Sequence, residues 1–207
     1  MEALQQLLNT RTDIWRGRVQ PPTPTVSTGQ SALDQRLPGH GWPCGQLIEL
    51  QPIHVGCGEL SITWPLLARQ TQRGQPVMLI SPPLIPCPQA WAQAGIDLTR
   101  LWIVRTQSHS LWTAEHALQS GLCGVVMVWS NNTRLTTTHL RRLQLACEYG
   151  HAPCFLIDSD VNRPVTTFSA LRLTIAPGPT VTLTHTRRAQ PLKSNTLKLT
   201  PRTLSAS

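Results

Sequence analysis

Residues 51–61 read QPIHVGCGELS, and they follow a strand predicted over 46–50 (QLIEL). Gly56 and Gly58 let the backbone turn tightly and aim N–H groups at a ligand. A glycine-rich turn between a strand and a helix is where a phosphate-binding loop, G-x-x-x-x-G-K-[ST], would sit. There the N–H groups cradle phosphates, the lysine contacts the β- and γ-phosphates and the hydroxyl holds Mg²⁺. Aligned on Gly58, this chain has Ile53 at the first glycine, Glu59 at the lysine and Leu60 at the hydroxyl. A carboxylate at that point repels a γ-phosphate, and no lysine precedes Lys193 to replace it. The strand that should end in a Mg²⁺-organising aspartate, 125–129 (VVMVW), runs instead into Ser130 and Asn131. Two independent losses argue against ATP hydrolysis, so Gly56 and Gly58 read as a structural turn. No catalytic residue, cofactor or metal is expected.

Other reactive side chains give no constellation. Cys147, His151 and Cys154 supply zinc-binding atom types, but only three ligands are local and the spacing is no familiar finger. Cys147 falls on the apolar face of a predicted helix and Cys154 opens a predicted strand, so buried free thiols are the simpler reading. Asp158 and Asp160 read as a strand-end turn. Two further sets are candidates for binding. Arg141 and Arg142 stand side by side on a helix, about 100° apart, and serve either a partner or phosphate contact or a solvated face. Trp15 and Arg16 lie in an N-terminal arm, as a protein–protein anchor or folded back on the domain.

These residues need a frame to hold them. Strands are predicted over 46–50, 77–81, 101–105, 125–129 and 154–158, with helices over 60–73, 88–94, 111–120 and 138–149 between them. Pro65 must fall in the first turn of its helix, and Gly95, Gly121 and Gly150 stop theirs. A threonine caps the fourth. The alternation defines an α/β domain with a mostly parallel sheet. Residues 170–175 and 180–186 then alternate around a PGP turn as an antiparallel hairpin. Three segments result: an arm with a proline-rich linker (1–26), the core (27–176), and the hairpin end with a basic, mobile tail (177–207). Trp64, Trp91, Trp102 and Trp129 are expected in the core.

The chain has 207 residues, with 18 Lys and Arg against 10 Asp and Glu, for a formal net charge of +8. Nearly all of that excess lies beyond residue 162, where no acidic residue occurs. Arg187, Arg188, Lys193, Lys198 and Arg202 disperse along this end and attract polyanions, nucleic acid or an acidic protein face, or simply keep it solvated. The tail has no aromatic residue after Phe168, so it does not stack bases. There is no membrane-length apolar run and no secretory signal, so a cytoplasmic protein without a disulfide framework is expected.

A wider set of residues carries a resemblance. Ser27-Thr28-Gly29, Ala32-Leu33-Asp34 and the glycine-rich turn before the first strand resemble the entry to a RecA-type ATPase core. With Trp15-Arg16-Gly17, Leu37-Pro38-Gly39-His40-Gly41-Trp42-Pro43, Gly45, Glu49-Leu50, Gly58-Glu59-Leu60, Ala94-Gly95-Ile96-Asp97, Ala114-Glu115, Gly121-Leu122-Cys123-Gly124, Leu140-Arg141-Arg142-Leu143-Gln144-Leu145-Ala146 and Ala170-Leu171-Arg172-Leu173, the order and spacing over residues 13–186 resemble ImuA. ImuA proteins are the SulA/RecA-like accessory proteins of bacterial translesion synthesis. The resemblance implies a degenerate RecA-like three-layer core without catalysis. It implies a role in damage-induced (SOS) mutagenesis beside an ImuB-like Y-family polymerase homologue and RecA, with an error-prone C-family polymerase reached indirectly. Action at the nucleoid would follow. Two other functions share the core: a SulA-like inhibitor binding the tubulin-like division protein, and a RecA-type ATPase, against which the absent lysine counts heavily.

Overall fold

The computed structural model describes residues 23–131, 133–165, 168–178, 180–187 and 196–199. The elements begin with a two-stranded antiparallel ribbon, β1 (Thr25–Val26) and β2 (Trp42–Pro43), around a short helix α1 (Ser31–Asp34). Then come β3 (Leu47–Pro52), α2 (Trp64–Gln72), β4 (Val77–Ile80), α3 (Pro88–Gln93), a 3₁₀ turn (Leu98–Arg100), β5 (Leu101–Val104), α4 (Ser110–Gln119), β6 (Val125–Trp129), α5 (Thr137–Gly150) and β7 (Cys154–Ile157). The chain continues with β8 (Leu171–Ala176), β9 (Thr180–Thr186) and β10 (Thr196–Lys198). Pro65 takes its place in the first turn of α2, where its missing N–H is not needed.

The eight-stranded sheet has the order β10-β9-β8-β3-β7-β6-β4-β5. Strands from β8 to β5 pair in parallel, and β8, β9 and β10 pair antiparallel. The hairpin expected around the PGP turn is β8 and β9, and β10 adds a strand that the sequence pattern had not placed. Helices cover both faces. Leu66 and Leu67 of α2 and Trp91 of α3 pack with Ile48, Leu79, Met127 and Phe155 on one face. Ala114 and Leu118 of α4 and Leu140, Leu143 and Cys147 of α5 pack with Leu47, Val126, Val128 and Leu156 on the other. β6 lies between both layers, which is why VVMVW is apolar at every position and wholly buried.

Two expectations need correction. Trp102 is not core: it is 49% exposed, because β5 is the last strand of the sheet and none of the described residues covers it. Trp91 and Trp129 are buried, and Trp64 is half-buried, edge-on to Trp91 with ring centroids 6.5 Å apart. Gly150 does not stop α5. It belongs to the last helical turn, and His151 ends the helix in the left-handed conformation at φ 55°. The predicted threonine cap is Thr136, whose hydroxyl accepts from the His139 N–H while His139 Nδ1 accepts from the Thr136 N–H.

Among the described residues no helix is long and apolar enough to cross a membrane. All six cysteines are free. The Cys147 thiol lies well above its ordinary pKa, first through burial and then through the adjoining Cys154 thiol. That is the behaviour of core thiols, and no group of three His, Cys, Asp or Glu side chains able to hold a metal occurs among the described residues.

Candidate functional site

In a parallel sheet the loops at the carboxyl ends of the strands form the surface that can hold a ligand. Here those loops follow β3, β6 and β7. The loop after β3 turns through Gly56 and Gly58 with φ of 86° and 99°, values that a side chain would strain. The loop then folds onto its own carboxylate. Glu59 is 4% exposed, and its Oε1 accepts the Gly56 N–H at 3.0 Å. Glu59 Oε2 is buried without a hydrogen-bond partner. The Cys57 thiol takes the His54 N–H at 3.2 Å, and Leu60 packs against the core. A negative group of this chain thus sits where the N–H groups would have received a phosphate.

The loops after β6 and β7 border a cleft of about 920 Å³, with Trp129, Ser130, Asn131, Asp158, Arg163 and Pro164 in its wall. Asn131 Nδ2 donates to the Ser81 carbonyl at 2.7 Å and ties the end of β6 to the end of β4. Both residues have positive φ, 43° and 55°. The floor of the cleft is an ion network. Glu49, wholly buried in β3, stands in register with Leu156 of β7 and Arg172 of β8. It accepts from Arg172 Nε at 3.1 Å and from Arg163 and Ser169, and forms an ion pair with Arg172 Nη2 at 2.9 Å. Arg163 Nε also donates to Asp158 Oδ2 at 2.9 Å, while Ser130 Oγ donates to Asp158 Oδ1 at 2.9 Å. Arg172 further donates to the carbonyls of Arg163 and Pro164, at 2.8 and 3.1 Å.

This network has a topological cause. Helices α4 and α5 cover the sheet face over β4, β6, β7 and the start of β3, where the Leu47 N–H donates to Gln144 of α5. Beyond them the described residues between β7 and β8 form no helix, and Arg163, Pro164 and Ser169 meet Glu49 of β3 and Arg172 of β8 instead. A loop carries polar backbone, so it is held by charged side chains rather than by an apolar stripe. Burial lowers the Arg163 pKa, but Glu49 and Asp158 outweigh it and hold the guanidinium charged. Both oxygens of Asp158 and both of Glu49 already accept hydrogen bonds, so neither is free to act as a general base. The arrangement is a clamp.

His185 of β9 stands beside this network in register with Arg172. Its Nε2 is buried without a partner. Burial first, then the positive charges of Arg172 and Arg187, lower its pKa against the opposing pull of Glu49. The folded chain therefore favours neutral His185. Above the ordinary pKa of 6.5 this costs nothing, and as pH falls below 6.5 the unfolded chain binds the proton more readily and folding stability drops. Replacing His185 with Gln is expected to flatten the fall in melting temperature between pH 7 and 5, read by thermal denaturation at each pH. An equal slope in both proteins would remove His185 as the cause.

Those of the residues singled out in the sequence that are described are not brought together. Glu59 and Leu60 lie at the β3 loop. Arg141 and Arg142 lie on α5, where Arg142 is engaged by Glu115 of α4 through Nη2–Oε2 at 2.7 Å and Nε–Oε1 at 3.1 Å. Arg141 is exposed and shares its helical stripe with Leu145 and Tyr149, 54% and 74% exposed. Arg187 is tied to the core: it donates to Gln46 Oε1 at 2.6 Å and to the Phe168 carbonyl at 3.3 Å. Lys198 is exposed on β10. Trp15, Arg16, Arg188, Lys193 and Arg202 lie outside the described residues. Sequence reasoning gave no role to Glu49 and Arg172, although both stand among the residues that carry the resemblance, and it did not single out Arg163. A charge at an inward position of LIELQ and another in LRLTI were the available signals, and their pairing required knowing that β3 and β8 are neighbours.

No protein-family model matches the chain, and no curated protein matches it. Among solved structures, a crystal structure of SulA from Pseudomonas aeruginosa is similar over 54% of this chain and 96% of that one, at 21% sequence identity and a TM-score of 0.44. The functional reading rests on this chain's own residues.

Proposed function

We propose that this chain is a non-catalytic adaptor built on a degenerate RecA-like core. It acts in damage-induced translesion synthesis by binding an ImuB-like Y-family polymerase homologue and RecA, and through them an error-prone C-family polymerase. The observation that carries the non-catalytic part is Glu59: its buried carboxylate takes the Gly56 N–H inside the loop where a nucleotide phosphate would have to sit. Electrostatic repulsion and loss of that N–H both oppose phosphate binding. The Ser130 and Asn131 side chains at the end of β6 supply no carboxylate for Mg²⁺ and are engaged by Asp158 and Ser81. The order and spacing of the ImuA-like residues support the partner assignment.

The test has two arms. Titration of the purified chain with ATP and Mg²⁺ is expected to show no saturable binding, and single-stranded DNA is expected to bind weakly with a steep loss on raising salt. Saturable ATP binding with Mg²⁺-dependent turnover would overturn the non-catalytic reading. Capture of the polymerase homologue or RecA on the immobilised chain, and reduced damage-induced mutagenesis on deletion of the gene, are the expected results for an adaptor. Capture of neither, with filamentous cells on overexpression, would replace it with SulA-like division inhibition.

A further inference from the structure

The two ends of the sheet are built differently. At one end β10 is three residues long, polar, and carries Lys198, the features that keep an edge strand from recruiting another. At the other end β5, Leu-Trp-Ile-Val, pairs among the described residues only with β4. It has no lysine, proline or glycine within it. Trp102 is 49% exposed on one face and Ile103 42% on the other, and Leu98 of the preceding turn is 38% exposed. The Val104 carbonyl accepts from the Ser81 N–H at 2.8 Å, so residue 104 faces β4. By alternation, the N–H and C=O groups of Leu101 and Ile103 point outward. An open ladder flanked by an indole on one side and an isoleucine on the other is a seat for one more strand.

The charges beside it select the occupant. Exposed Arg100 and Arg105 bracket the strand, and neither makes an ion pair among the described residues. Asp97, the nearest acidic residue in sequence, engages its carboxylate with the Thr99 N–H and hydroxyl at 2.9 and 2.7 Å. A second copy is a poor fit. Antiparallel self-pairing centred on Trp102 or on Ile103 sets Arg100 of one copy one residue from Arg105 of the other at both ends, between chains that each carry a net +8. An extended segment of another protein with apolar residues in its middle and acidic residues at its ends meets every requirement.

We infer that the outer edge of β5 is a β-augmentation site for an acid-flanked extended segment of a partner protein. This holds whichever pathway the chain serves, so its failure leaves the adaptor reading standing, and the reverse. The test uses the full chain and a fluorescein-labelled peptide, EIVTVE amide, followed by anisotropy. The expected result is saturable binding at least ten-fold tighter than that of KIVTVK amide. Ile103→Pro, which removes an outward N–H and leaves the bonds to β4, should abolish it. Should that variant fail to fold, Arg100→Glu with Arg105→Glu, which alters only exposed side chains, should reverse the preference in favour of KIVTVK. Tyr149→Ser, on α5, should leave binding unchanged. Equal affinity for the two peptides, or binding insensitive to both the proline and the charge reversal, would overturn the inference. So would a dimer of the unmodified chain that Ile103→Pro returns to monomer, since a second copy would then be the occupant.

Discussion

Glu49→Ala is expected to destabilise the fold by about 3–5 kcal/mol, because it removes one partner from a buried ion network and leaves the others in place. Arg172 is 2% exposed and loses the carboxylate that both its Nε and Nη2 address. Arg163 keeps only Asp158, and the Ser169 hydroxyl loses its acceptor. For a chain of this size the loss corresponds to a fall in melting temperature of roughly 6–20 °C. The measurement is urea unfolding of the variant beside the parent protein. The cost arises from stranded charge, not from any large net gain of the pair, and this makes a second result predictable. Glu49→Leu combined with Arg172→Met takes both charges out of the sheet and leaves Arg163 paired with Asp158, so it should recover at least half the loss. If the double variant is as unstable as the single one, packing and not charge is what Glu49 provides. Either outcome bears on the cleft, because Arg172 also holds the carbonyls of Arg163 and Pro164 that shape its wall.

Gly150→Ala should cost about 3 kcal/mol, at the upper end of what overpacking does. A Cβ on Gly150 would fall far inside the van der Waals contact distance of the Leu118 carbonyl oxygen and 2.9 Å from its carbonyl carbon. These are backbone atoms of α4, which cannot rotate aside as a side chain would. Helices α4 and α5 would have to separate at their carboxyl ends, pulling Leu118 and Cys147 out of contact across the buried cluster under β6 and β7. Alanine normally favours a helix over glycine by about 1 kcal/mol, so the sign of the effect is diagnostic. A variant as stable as the parent or more so would show that α4 is not held this close to α5. Gly121→Ala, at a position with open space but φ of 68°, serves as the comparison: its cost comes from backbone strain alone.

The elements were legible because each carries a local period. VVMVW is apolar at every position and could only be a strand covered on both faces. Leu140, Leu143 and Cys147 mark one face of a helix, and Pro65 and Thr136 mark helix starts by chemistry that acts within one turn. The lack of a lysine and a hydroxyl at the spacing of a phosphate loop was legible too, since it depends on residue type alone. The position of Glu59 was not. A carboxylate in that place was read as repelling a ligand, while the structure has it fold inward to take the Gly56 N–H.

What the sequence by itself determined is the class of the domain, the seven strands from β3 to β9 and the loss of lysine and carboxylate where a nucleotide site would need them. These follow from local periodicity and from which atoms each side chain brings. The tertiary structure alone decided which strand lies at the edge, so that Trp102 is exposed and Trp129 is not. It alone paired Glu49 with Arg172 across 123 residues of chain. Neighbours in a sheet are set by how crossovers pack, and a strand's own residues record that it will be buried or paired without recording by what.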